Sequence, residues 1–147
     1  MKYAHTNIVA NDWKKLAKFY EDVLDCVPVP PERDLKGEWV GKLTGIHGAH
    51  ITGVHLRLPG WGDDGPTLEI FQYNEANGRL PIATNNPGFC HIAFEVDDVK
   101  TSVQQFLDNG GSPVGEFLVE EYPDGRVLTV QYVADPEGNV VELQNWS

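Results

Sequence analysis

The feature that most constrains this chain is that it nearly repeats itself. "HTNIVANDWKKLAKFYEDVL", beginning at His5, lies over "HIAFEVDDVKTSVQQFLDNG", beginning at His91, at an offset of 86 (91 − 5). Asp12 then stands over Asp98, Lys14 over Lys100 and Tyr20 over Phe106. A second match, at an offset of 73 (142 − 69), sets "DDGPTLEIFQ" over "PEGNVVELQN", so that Gly65 meets Gly138 and Glu69 meets Glu142. A chain built this way is expected to fold as two copies of one supersecondary unit.

Within each copy the residue patterns specify the same elements. A short β-branched and aromatic stretch reads as a strand. An Asn-Asp or Asp-Asp pair follows, the residue types that cap helix N-termini. Apolar residues then recur at helical spacing: Trp13, Leu16, Phe19, Tyr20 and Leu24 in one copy, Val99, Val103, Phe106 and Leu107 in the other. "NGG" at Asn109–Gly111 stops the second helix. The second copy has room for strands near Val114–Val119 and Val127–Val133, the first around Val40–Leu43 and Ile51–Leu58, ahead of each final strand. The expectation is an α+β chain of tandem βαβββ modules: one domain over 1–147, with module 1 at 1–74, a linker at 75–87 and module 2 at 88–147. The Pro- and Gly-rich stretch Asp25–Gly48 reads as the least regular part.

Bulk composition narrows the functional classes. Eleven basic against 22 acidic residues give a formal net charge of −11 over 147 residues. Such a surface repels phosphate backbones and anionic membranes, so neither nucleic acid nor membrane is expected as a partner. Cys26 and Cys90 form no framework spacing, which points to free thiols in a reducing compartment. The first residues carry Lys2 and His5 with no apolar run of signal-peptide kind. A cytoplasmic protein is expected.

Chemistry enters through four positions. His5 and His91 head the paired first strands, and Glu69 and Glu142 lie inside the paired last strands. An ionised Glu flanked by Leu68 and Ile70, or by Val141 and Leu143, is costly in a dry core unless paired or bound to metal. Taken singly, each residue has a plainer account: a hydrogen-bonded core histidine, or a glutamate on the solvated face of a strand. Taken together at symmetry-matched positions, two imidazoles and two carboxylates form a ligand set for one borderline divalent ion such as Zn²⁺, Ni²⁺, Co²⁺, Mn²⁺ or Fe²⁺. No other cofactor-binding pattern is evident.

These segments, with "GFCHIAFEVDDV" and "VADPEGNVVELQNW", resemble the vicinal oxygen chelate superfamily (glyoxalase/bleomycin-resistance/dioxygenase). The resemblance covers nearly the whole chain. It implies a glyoxalase-like fold in which tandem βαβββ units form an open, curled mixed sheet around a central cavity holding the metal. The ligand pattern is most similar to glyoxalase I and methylmalonyl-CoA epimerase. That implies a metal-dependent lyase or isomerase moving a proton beside a carbonyl, through a metal-bound enediolate or enolate, on a small carbonyl or thioester substrate. Carried onto this sequence, Glu142 is the first choice of base and Glu69 its mate, both also ligating metal. The epimerases usually carry Gln at the position of Glu69, which turns the expectation toward a lactoylglutathione lyase-like activity. Glyoxalase I proteins, however, commonly place an Arg shortly after the first His, where this chain has Ile8 and Val9. The cations left for an anionic substrate are Arg57, Lys42 and Arg126. A non-catalytic small-molecule binding protein of the bleomycin-resistance kind is the alternative class. Family members are commonly homodimers, and one is expected here.

"HGAHITGVH" gathers His47, His50 and His55, but its spacing makes no helical HxxxH face, so these are expected on the surface or on a pocket wall. Trp13 is expected to staple the first helix, and Trp61 to sit on a hairpin loop. Cys90 alternates away from His91 and is expected to pack as a small hydrophobe.

Overall fold

The computed structural model describes residues 1–78 and 83–147; part of the 75–87 linker therefore lies outside the described residues. The chain divides into two compact units, Met1–Arg79 and Leu80–Ser147.

In the first unit, β1 (His5–Val9) leads into α1 (Trp13–Leu24), then β2 (Val27–Leu35), α2 (Glu38–Thr44), β3 (Ile51–Arg57) and β4 (Thr67–Tyr73). The four strands form an open mixed sheet in the order β1-β4-β3-β2, with β1 parallel to β4 and the other pairs antiparallel. Asp12 caps α1 by accepting from the Lys15 amide, and these contacts hold its carboxyl below the ordinary carboxylate range. The apolar face of α1 buries Leu16, Tyr20 and Leu24 against Val54 and Leu56 of β3 and Leu68 and Ile70 of β4. Each such side chain contributes about 1.5–3 kcal/mol of burial. Period-two alternation then turns His55 and Glu69 to the opposite face of the sheet.

The second unit runs β5 (His91–Glu95), α3 (Val99–Asp108), β6 (Ser112–Pro113), β7 (Leu118–Glu121), β8 (Val127–Ala134) and β9 (Val140–Trp146). Its sheet has the order β5-β9-β8-β6, with β7 also pairing β8 and β5 parallel to β9. Asp98 caps α3 through the Thr101 amide, and its carboxyl too is held low. Val103 and Phe106 of α3 pack over the face that carries Val133, Val141 and Leu143. Buried Asp135 accepts from the Glu137 and Asn139 amides and from Asn139 Nδ2, which fixes the turn between β8 and β9.

The α+β class and the paired modules are as the sequence led one to expect, with three differences. The strand expected near Val114–Val119 is split into β6 and β7, with residues 114–117 outside any strand. Val40–Leu43 is part of helix α2, not a strand. Val40 buries alone on a turn of helix and packs with Ala49, Ile51 and Phe71. The supposedly irregular Asp25–Gly48 holds nine-residue strand β2. Its prolines are tolerated because β2 is an edge strand that pairs only with β3, across a register shift between Val29 and Arg33. Among the described residues no helix is long and apolar enough to cross a membrane, which leaves membrane strands unaddressed.

Candidate functional site

Register brings each first-strand histidine next to the carboxylate of its last strand. In the first unit, His5 stands beside Thr67, and Asn7 beside Glu69, across the parallel β1–β4 pair. His5 Nε2 lies 3.3 Å from Glu69 Oε2, and Asn7 Nδ2 donates to the same oxygen at 3.2 Å. Across the antiparallel β3–β4 pair, His55 is the direct partner of Glu69. Its Nε2 reaches Glu69 Oε1 at 2.7 Å, while Nδ1 lies 2.9 Å from the Thr67 hydroxyl. Three donors thus converge on one buried carboxylate. Burial lowers the His55 pKa below its ordinary value, opposed by the charge of Glu69; burial prevails and the ring is held neutral. A neutral ring donating from Nε2 accepts a hydrogen bond from the Thr67 hydroxyl at Nδ1, which fixes its tautomer. The rings of His5 and Phe71 each meet that of His55 edge-on at 5.9 Å.

The second unit repeats this with one substitution. His91 Nε2 lies 2.8 Å from Glu142 Oε2. Tyr132 occupies the cross-strand position opposite Glu142 that His55 holds opposite Glu69. Its ring stacks at 4.8 Å on that of His91. Burial, and then the Glu142 charge, push the phenol pKa up, so it stays protonated and donates to the carboxylate.

The four residues singled out by the repeat therefore form two His–Glu pairs, one in each unit. Two ligands next to each other on an octahedral ion, with bonds of about 2.0–2.2 Å, stand about 3 Å apart; the pair separations of 3.3 and 2.8 Å match that spacing. Both pairs offer nitrogen and oxygen donors of the kind borderline divalent ions take. Among the described residues no group of three or more His, Cys, Asp or Glu side chains forms a ready-made cage. The structural module is the pair.

Sequence reasoning missed His55, Asn7, Thr67 and Tyr132. His55, expected on the surface or on a pocket wall, lies on the same sheet face as Glu69 and is its direct partner. The repeat hid its correspondence with Tyr132 because the β3–β4 connection is longer than the β8–β9 one. Glu69 follows His55 by 14 residues (69 − 55), whereas Glu142 follows Tyr132 by 10 (142 − 132). His50 instead pairs with Asp34. An open depression of about 700 Å³ beside α2, lined by Lys36, Lys42, His47 and His50 among others, shares no residue with the pairs. Its lysines are already matched to Asp34 and Glu38. Lys42 and Arg126 are thus held by neighbouring acids, Glu38 and Asp124. Trp13 is buried and Trp61 exposed, in line with expectation.

Residues 2–143 match the family model described as Glyoxalase/Bleomycin resistance protein/Dioxygenase superfamily. A glyoxalase family protein from Bacillus cereus has a similar structure, with a TM-score of 0.79 at 20% identity, covering 99% of this chain and 94% of that one. A glyoxalase family protein from Enterococcus faecalis matches with a TM-score of 0.65 at 21% identity over 97% and 96% of the two chains. A glyoxylase/bleomycin resistance protein/dioxygenase domain from Frankia sp. matches at 0.65 and 15% identity over 100% and 98%. A search of curated proteins finds no match.

Proposed function

We propose, from the premise that this chain belongs to the Glyoxalase/Bleomycin resistance protein/Dioxygenase superfamily, that it is a metal-dependent lyase or isomerase of the lactoylglutathione lyase kind. It moves a proton on the carbon next to a carbonyl in a small carbonyl or thioester substrate. The observation that carries this reading is the recurrence of one His–Glu pair at matched strand positions in both units. His5, Glu69, His91 and Glu142 are the proposed ligands of a divalent ion of the Ni, Zn, Co, Mn or Fe class. Such an ion, when bound, polarises a carbonyl oxygen and eases loss of the neighbouring proton.

The chain's own residues divide the remaining work unequally. A carboxylate has about four lone-pair sites. With the ion on His5, Glu69 still receives His55 and Asn7, and is the anchored partner. With the ion on His91, Glu142 keeps the Tyr132 hydrogen bond, which leaves more of its capacity open to a substrate proton. Glu142 is therefore the proposed base, taking the proton and returning it to the adjacent carbon, with Tyr132 keeping the carboxylate oriented.

Solvent isotope uptake tests this. Protein loaded with Ni²⁺ or Co²⁺ is incubated in D₂O with the hemithioacetal of methylglyoxal and glutathione, and separately with methylmalonyl-CoA. The reading expects deuterium in the product of one of them, with Glu142→Gln slowing uptake by about 10²–10⁴-fold while the circular dichroism spectrum is unchanged. A metal-bearing protein that labels neither substrate would favour a small-molecule binding role. Full turnover by Glu142→Gln would remove the base assignment.

A further inference from the structure

Arg57 is the last residue of β3, two beyond His55, and so projects from the same face of the sheet. In register it stands opposite Thr67, which in turn stands beside His5. Its guanidinium is held at one end only, Nη1 to Asp63 Oδ1 at 3.1 Å. Asp63 is 89% exposed, on the loop between β3 and β4 that also carries Gly60, Gly62 and Gly65. Arg57 Nε is shielded from solvent and, among the described residues, finds no acceptor. A buried donor left unpaired costs stability, and its persistence calls for a reason. Four residues back along β3 (57 − 53), Arg33 is registered opposite Gly53, and its charge is felt at His55. In a chain of net charge −11, this face thus gathers Arg57, Arg33, His5 and His55 around the single buried acid Glu69.

We infer that Arg57 is the recognition residue for a carboxylate on the substrate, a group additional to the carbonyl beside which the proton moves. The inference rests on the reading that this sheet face receives substrate. The incoming carboxylate sits beside Asp63, which holds Nη1, and the side chain turns to present its shielded Nε. The carboxylate accepts from Nε and from Nη2, the terminal nitrogen on the same edge, the side-on fork geometry that guanidinium offers and ammonium does not. Asp63 sets a negative charge next to that edge, and its own surface pair is worth little and yields readily. Arg33 adds long-range attraction to the same spot. The substrates this selects are small carbonyl acids, not their neutral esters or amides.

The test uses full-length protein stripped of metal with EDTA, so that a carboxylate has no ion to bind. Pyruvate and methyl pyruvate, alike except for charge, are titrated while the Arg57 Nε–H resonance is followed by ¹H–¹⁵N NMR. Pyruvate is expected to move that resonance to saturation and methyl pyruvate to leave it in place. Arg57→Gln is expected to weaken pyruvate binding at least tenfold and Arg57→Lys to an intermediate degree. Asp63→Asn, which removes the neighbouring negative charge and leaves the sheet untouched, is expected to tighten it severalfold. Equal binding of acid and ester, an unmoved Nε–H resonance, or an Asp63→Asn variant that binds pyruvate no better than wild type would overturn the inference. Because no metal is present, such a failure is separate from failure of the proton-transfer reading, which is scored by isotope uptake in the metal-loaded protein.

Discussion

Glu69 and Glu142 occupy equivalent places in the repeat, yet their neighbours make them different groups. Opposite Glu69 stands an imidazole whose far nitrogen is tied to Thr67; opposite Glu142 stands a phenol packed on His91. His55 therefore fixes the direction in which Glu69 presents its oxygens. Outer partners of this kind typically contribute 10–100-fold to metal affinity. His55→Phe keeps an aromatic ring against Phe71 but removes both hydrogen bonds. It is expected to lower Co²⁺ affinity by about 10–100-fold, measured by competition with a coloured chelator, with little change in melting temperature. An unchanged affinity would leave His55 as packing alone. Cys26 belongs to the opposite class of residue. Burial pushes its thiol up to about 12, so it stays protonated and serves the core.

At the scale of elements, helices α1 and α3 and the final strands were legible in the sequence because each obeys one period from end to end. Trp13, Leu16, Tyr20 and Leu24 mark one face of α1, and Asp12 and Asp98 announce its start and that of α3. What escaped was governed by tertiary context. The prolines of β2 forbid a central strand but not an edge one, and α2 is too short for its period to register. The four candidate positions, which form the two His–Glu pairs, were legible through the repeat. Their cross-strand partners were not, since register across a hairpin depends on a connection length that differs between the copies. Strand β3 also carries a constraint invisible to pattern. A Cβ on Gly53 would stand 2.2 Å from the Ile70 carbonyl oxygen and 2.6 Å from Phe71 Cδ1. Gly53→Ala is thus expected to force β3 and β4 apart and to cost about 1–3 kcal/mol in urea unfolding. Because the displaced pair is the one that sets His55 against Glu69, metal affinity is expected to fall with it. Wild-type stability in this variant would show that the two strands are free to separate there.

For the whole molecule, duplication explains why ligand candidates occur as pairs. Each unit offers one proposed ligand pair, an imidazole and a carboxylate, fewer donors than a divalent ion of this class ordinarily takes from protein. Neither unit alone is expected to retain metal firmly, and two pairs, whether from one chain or from two copies, are expected to serve each ion. Stoichiometry follows directly: one ion per chain. The net charge of −11 assists by concentrating cations near the surface. Elemental analysis after loading with Co²⁺ or Ni²⁺ and exhaustive dialysis tests this directly, on wild type, His5→Ala and His91→Ala. The account predicts one ion per wild-type chain and loss of it in both variants, although their substitutions lie in different units. Wild type that keeps no ion, or one that either variant keeps as firmly, would contradict it.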